Sequence, residues 1–172
     1  MCDLIQFDGL LYAWGRSSLG DFIAARSTRG LVAFEFARPD GSAVRHLQAR
    51  FANAVLTEHP AALADAIAAL ARLVDHPGQD PDLPLDIQGT DYEKKVWGLL
   101  RQIPPGTTTH YGAIAAQMGT RDARDVTAAI AANTLAILIP CHRVVKKDGS
   151  LSGYRWGAKR KRALIERERK AN

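Results

Sequence analysis

The stretch from Asp75 to Gly89 holds Pro77, Pro81 and Pro84 together with Gly78 and four aspartates. Proline cannot donate to a helix or a sheet ladder, so no regular element runs through such a stretch. It separates two patterns. Before it the sequence reads as strands followed by helices; after it, almost entirely as helices. That order specifies an α/β protein, with a small N-terminal sheet-plus-helix domain over residues 1–86 that includes the Pro/Asp-rich connection, and a mostly helical domain over residues 87–172.

In the first part, Leu10–Trp14, Asp21–Arg26 and Leu31–Phe36 read as strands. Val32, Phe34 and Phe36 alternate with Leu31, Ala33 and Glu35, and Ser27-Thr28-Arg29-Gly30 ahead of them predicts a hairpin. Val44, Leu47, Phe51 and Val55 recur at helical spacing, as do Leu63, Ile67, Leu70, Ala71 and Val74 after Pro60, so each set predicts an apolar stripe on a helix. Nothing in residues 1–74 carries a chemical motif.

In the second part, Thr90-Asp91-Tyr92-Glu93 has the capping-box pattern and should start a helix with the stripe Tyr92, Val96, Leu99, Leu100 and Ile103, ended by Pro104-Pro105-Gly106. Thr109 is placed to cap a second helix presenting Tyr111, Ile114, Ala115 and Met118 and stopping near Gly119. A third is expected from Arg121 to Ala132, with Val126, Ala129 and Ile130 inward. Two short helices about a glycine-containing turn make the helix-turn-helix pattern, which ordinary helical hairpins share.

The net charge of +5 is unevenly spread. From Cys141 to Asn172 eleven Lys/Arg face three acids, an excess of +8, which leaves −3 for the rest. Such asymmetry points to a polyanion partner or to a solvated basic helix. No apolar run is long enough to cross a membrane and no secretory leader opens the chain, so a cytoplasmic protein is expected. Two cysteines are too few for a disulfide framework. Cys2 with His46, His59 and His76 lacks any metal-ligand spacing, and no metal or cofactor is expected.

Ile137-Leu138-Ile139-Pro140-Cys141-His142-Arg143-Val144-Val145 places a cysteine and a histidine after a proline at the end of an apolar run. A thiol needs nearby positive charge, a base or a helix N-terminus to act as a nucleophile at neutral pH, and His142, Arg143, Lys146 and Lys147 offer charge and a base locally. A cysteine beside an apolar run is otherwise a small core residue.

Pro140-Cys141-His142-Arg143-Val144 resembles the acceptor-cysteine motif of the O6-alkylguanine-DNA alkyltransferases. The resemblance extends through Gly89-Thr90, Val96-Trp97, Ile103-Pro104-x-Gly106, Tyr111, Arg124, Asn133, Gly149, Ser152 to Gly157, Lys161 and Glu168, in the style of the C-terminal half of the bacterial adaptive-response protein. It implies a ribonuclease-H-like N-terminal domain and irreversible, stoichiometric transfer of an alkyl group to Cys141, from O6-alkylguanine in double-stranded DNA after nucleotide flipping, by a monomer without cofactor.

The same resemblance implies roles. Glu168 would orient His142, with a water between His142 and Cys141; Asn133 would hold the active-site turn; Tyr111, supported by Lys161, would protonate or hydrogen-bond the base. Val144, Tyr154, Trp156 and Gly153 would belong to the substrate pocket, and Arg124, Arg143, Thr109 and Ala123 to the DNA contact, with Arg124 filling the gap left by the flipped nucleotide. The chain departs from the family in being one residue shorter between Tyr111 and Arg124, and in carrying Asp125 and Thr127 where small apolar residues are common. A lesion sensor or DNA-binding regulator without chemistry would leave the alkyl group on DNA, and a cysteine hydrolase would turn over many times; the expected protein is spent after one transfer.

Overall fold

The computed structural model describes residues 9–151 and 153–171. Cys2 and Ser152 lie outside the described residues. Four strands, β1 (Leu10–Ser17), β2 (Gly20–Arg26), β3 (Leu31–Phe36) and β4 (Leu56–Glu58), form a sheet in the order β3-β2-β1-β4. The first three are an antiparallel meander, and β4 runs parallel to β1. All six residues of β3 are buried, because the sheet is covered on both faces. Helix α1 (Ser42–Arg50) seats Ala43 and Leu47 with Ile23, Ala25 and Val32, whereas α2 (Pro60–Asp75) places Leu63, Leu70 and Val74 with Phe22, Ala24 and Phe34.

The first predicted helical stripe runs too far. α1 ends at Arg50, and Val55 is 65% exposed. The chain must turn there to enter β4, with the Val55 carbonyl accepting from Leu10 N at 2.9 Å.

The Pro/Asp-rich connection is built onto the edge of β3. Leu31 N donates to Pro84 O at 2.9 Å and Asp86 N to Leu31 O at 2.8 Å. Gly30 is required by this approach, since a β-carbon there would lie 2.5 Å from the Pro84 carbonyl oxygen. The Asp86 carboxylate is buried and accepts from Ser27 Oγ at 2.6 Å. One continuous cluster joins Phe22, Phe34 and Leu70 to Val96, Leu100, Leu135 and Cys141, so the core crosses residue 86 without interruption.

The C-terminal part contains α3 (Asp91–Leu100), α4 (Tyr111–Gln117), α5 (Arg124–Ala131) and α6 (Ala158–Ala171), with a two-residue parallel ladder between β5 (Thr109–His110) and β6 (Val144–Val145). The capping box at the start of α3 is complete: Glu93 N donates to Thr90 Oγ1 at 3.1 Å and Thr90 N to Glu93 Oε1 at 2.9 Å. The predicted stripe of α3 is corrected at two positions. Ile103 lies beyond the helix, which ends at Leu100. Tyr92 is exposed, and Trp97 is buried in its place, its indole N–H donating to Ala129 O at 2.8 Å and tying α3 to α5.

Thr109 does not cap α4. It pairs with Val144 in the ladder, and His110 Nδ1 accepts from Ala113 N instead. α5 begins at Arg124 rather than Arg121, with Val126, Ala129 and Ile130 inward as expected. Gly119, at φ +81°, ends α4 and turns the chain toward α5.

Candidate active site

The turn from Asn133 to Cys141 is held from within and from the sheet. Asn133 is fully buried; its amide donates to Leu135 O (3.3 Å), Ile139 O (2.9 Å) and Cys141 Sγ (3.3 Å), and its Oδ1 accepts from Leu135 N (2.9 Å). From the sheet, Phe34 N donates to Thr134 O at 2.8 Å and Ala136 N to Phe34 O at 2.9 Å. Within this frame Ile137 adopts φ +66°, a left-handed conformation that a β-branched residue holds only when its surroundings force it, at about 1–3 kcal/mol. The turn delivers Cys141 to the start of a 3₁₀ turn, Cys141–Arg143.

Cys141 is 4% exposed. Burial pushes its thiol up to about 11, against the hydrogen bond from Asn133 and the positive charge of Lys161, which favour the thiolate. The sequence neighbours do not supply the charge. Lys146 and Lys147 are exposed, and Arg143 turns away to Glu168. Lys161 and Arg155, distant in sequence, do so instead.

His142 and Glu168 meet at 2.7 Å between Nε2 and Oε1, both side chains buried. Burial would raise the Glu168 carboxyl, but hydrogen bonds and charge from His142 and Arg143 outweigh it and hold it at about 2. Burial depresses the His142 imidazole below its usual 6.5, opposed by Glu168. The ring is therefore neutral at pH 7, its proton sits on Nε2 facing the carboxylate, and Nδ1 keeps a lone pair. Among the described residues Nδ1 is buried without a hydrogen-bond partner. A neutral imidazole oriented by a carboxylate, with no protein group on its other nitrogen, can serve as a general base.

Lys161 is 1% exposed and its ammonium is lowered to about 8 by burial, with a Cys141 thiolate acting in the opposite sense. Tyr154 packs edge-on against Trp156 at 5.2 Å between ring centroids. Its hydroxyl is buried and, among the described residues, also unpartnered; burial raises it well above its usual 10, and a Cys141 thiolate would raise it further. Tyr111 begins α4, half-buried against the core, and Val144 is fully buried in the ladder. Gly153 is exposed with open space around it, so nothing there demands glycine.

The family model described as 6-O-methylguanine DNA methyltransferase, DNA binding domain, matches residues 91–170. The chain is 42% identical to the bifunctional transcriptional activator/DNA repair enzyme Ada of Escherichia coli over 165 residues, 91% of this chain and 45% of that protein. It is 40% identical to the methylated-DNA–protein-cysteine methyltransferase of Mycolicibacterium paratuberculosis over 115 residues, 66% of this chain and 70% of that one. The crystal structure of Mycobacterium tuberculosis OGT in complex with DNA superposes with a TM-score of 0.76 at 32% identity, covering 93% of each chain. This chain belongs to the methylated-DNA–protein-cysteine methyltransferase family. It spans about half the length of most of the curated relatives it matches.

The two helices α4 and α5 form the helix-turn-helix. On α5, Arg124, Asp125, Thr127 and Ala128 are exposed, and Ala123 is the half-buried N-cap. Arg124 is 90% exposed along its side chain, yet its guanidinium is forked onto Asp122, with Nε 3.0 Å from each carboxylate oxygen and Nη2 2.6 Å from Oδ2. Arg143, expected at the DNA surface, is a correction. It is buried, donates from Nε and Nη2 to Glu168 and from Nη1 to Ile103 O at 2.7 Å, and presents nothing to a phosphate.

The C-terminal charge is also less available than its count implies. Arg155 pairs with Glu35, Arg160 donates to Leu19 O at 2.8 Å, and Arg167 to Ser18 Oγ and Val74 O, while Lys161 is buried. Lys146, Lys147, Lys159, Arg162, Arg169 and Lys170 remain exposed. Glu35 belongs to no motif in the sequence; its signal is a carboxylate interrupting the apolar run of β3. Among the described residues no helix is long and apolar enough to cross a membrane, and no cluster of His, Cys, Asp or Glu could hold a metal.

Proposed function

We propose that this chain repairs DNA by moving the alkyl group of O6-alkylguanine onto Cys141, once per molecule. His142 carries the reading: a buried, neutral imidazole whose Nε2–H is committed to Glu168 and whose Nδ1 is open, one residue from a buried thiol. His142 Nδ1 takes the thiol proton, relayed by a water as the family resemblance implies. The Cys141 sulfur attacks the alkyl carbon, the carbon–O6 bond breaks, and its electron pair passes into the guanine ring. Tyr111 donates a proton to the leaving base and is reprotonated from the His142 side. The net exchange is balanced: thioether forms on Cys141, and the thiol hydrogen ends on guanine.

A thiol 4% exposed cannot reach a base stacked in a duplex, so the nucleotide must be extruded, at a cost of a few kcal/mol. α5 would enter the duplex with Arg124 at its N-terminus, which requires Arg124 to leave Asp122. Ala123 and Thr109 would line the approach, and Tyr154, Trp156, Val144 and Gly153 would surround the flipped base. Asn133 would keep the turn rigid, and Lys161 would stabilise the thiolate and support Tyr111. Residues 1–86 and 87–172 would act as scaffold and working part. The protein would act as a cytoplasmic monomer.

The test is a duplex oligonucleotide carrying O6-methylguanine, incubated with excess and with limiting protein. The expected result is a methyl mass on the Cys141 peptide and an amplitude capped at one equivalent. A lesion left intact, or several lesions cleared per molecule, would refute the reading.

A further inference from the structure

Glu35 is the only charged residue of β3, and its side chain is 11% exposed. Its carboxylate lies 2.8 Å from Arg155 Nη2, beside the side chains of His46, Arg50 and Trp156. A buried carboxylate is costly unless paired, and this one is paired with Arg155. Arg155 continues the connection. Its Nη1 donates to Asn133 O at 3.3 Å and to Ala131 O at 3.4 Å, at the root of the turn that carries Cys141. One guanidinium therefore joins the sheet, the active-site turn and the loop bearing Tyr154 and Trp156.

We infer that Glu35 is a positioning residue for the alkyl-acceptor pocket: acting through Arg155, it fixes Tyr154 and Trp156 relative to Asn133 and Cys141. The inference rests on the alkyl-transfer reading above. Glu35 touches neither the thiol nor His142, so its removal acts only through Arg155, which holds the rim against Asn133 and adds positive charge near Cys141. Arg155 is about one-third exposed along its side chain and can swing to solvent when the carboxylate is lost, which frees the rim without leaving a buried orphan charge. Misplacement of reacting groups by about 1 Å costs up to about a hundredfold in rate. A partial release should cost about tenfold.

Single-turnover transfer from an O6-methylguanine duplex, followed at a series of protein concentrations, separates the maximal rate from the half-saturating concentration. Glu35→Gln is expected to lower the maximal rate about tenfold while leaving half-saturation unchanged. Arg155→Gln should do the same, the double variant should be no slower than either, and Glu35→Asp should recover part of the loss. A merely structural role would give additive losses. The inference is overturned if folded Glu35→Gln keeps the wild-type maximal rate, if the two losses multiply, or if the loss lies wholly in half-saturation. Should Glu35→Gln fail to fold, Arg155→Gln decides alone, an unchanged maximal rate overturning the inference. A wild-type chain that moves no methyl group sinks the function reading and this inference together; an active wild type with unaffected variants sinks this inference only.

Discussion

Glu168 Oε1 accepts simultaneously from His142 Nε2 and Arg143 Nη2, each at 2.7 Å, in a space that leaves its side chain 1% exposed. One carboxylate thus fixes the imidazole tautomer and neutralises a buried guanidinium. The motif residues His142 and Arg143 are adjacent in sequence and share one carboxylate of α6, Arg143 anchoring the helix to the acceptor turn and His142, on the proposed function, facing the reaction.

Glu168→Gln should therefore damage both. The neutral amide accepts from Nε2–H more weakly and can also donate to a bare Nε2, so the tautomer is no longer fixed, and Arg143 loses its counter-charge. Transfer is expected to slow by about a hundredfold or more, and stability to fall by about 3–5 kcal/mol, as when one partner of a buried pair is removed. Single-turnover rates and urea unfolding check the two. The wild-type carboxyl is lowered from 4.5 to about 2, so its contribution to stability is complete above about pH 4.5 and is lost as pH falls toward 2. That acid dependence should be weakened in the variant.

The pH profile of transfer should have two limbs. Below 6.5 the rate falls only once His142, whose pKa is depressed, takes a proton on Nδ1 and can no longer act as a base. Above about 8 Lys161 loses the positive charge that favours a Cys141 thiolate, and the rate falls again, while the thiol itself stays protonated up to about 11. Lys161→Met should be slower at neutral pH and should lack the alkaline limb. An unchanged alkaline limb in that variant would remove Lys161 from the thiol's environment.

The sequence disclosed what local chemistry dictates. The Thr90–Glu93 capping box, the inward face of α5 and the hairpin at Gly30 are short-range features, and each appears as expected. What it concealed depends on partners far along the chain. Thr109 has the side chain expected of a cap, but its pairing with Val144 leaves that place to His110. Trp97 lies off the expected stripe of α3, and its burial depends on Ala129, whose carbonyl accepts from its indole N–H. Arg143 and four other basic residues of the C-terminal segment read as phosphate ligands, yet they are buried or bonded to acids and carbonyls that no spacing rule connects to them.

Asn133→Ala should show how strongly the acceptor turn depends on one side chain. It removes donors from Leu135 O, Ile139 O and Cys141 Sγ and leaves Leu135 N unpaired in a site without solvent. The expected loss is about 3 kcal/mol, which for a chain of this size lowers Tm by about 10 °C. Ile137, no longer forced, should relax from its left-handed conformation and carry Cys141 with it. Thermal melts and the transfer rate report these together; a variant that melts like the wild type would show that the sheet alone holds the turn.

Arg124 and Asp122 make the remaining test. Arg124→Ala should slow transfer from duplex DNA more than transfer from the free alkylated base, since only the duplex needs a wedge where the nucleotide leaves. Asp122→Ala should act in the opposite direction on undamaged duplex. It frees the Arg124 fork and deletes a negative charge two residues ahead of it, so affinity should rise severalfold, and the slope of log affinity against log salt should steepen by about one. Fluorescence anisotropy across a salt series measures both quantities. A fall in affinity would reverse the assignment: Asp122 would then be holding Arg124 ready for the duplex, and the helix-turn-helix would owe its grip to that exposed pair.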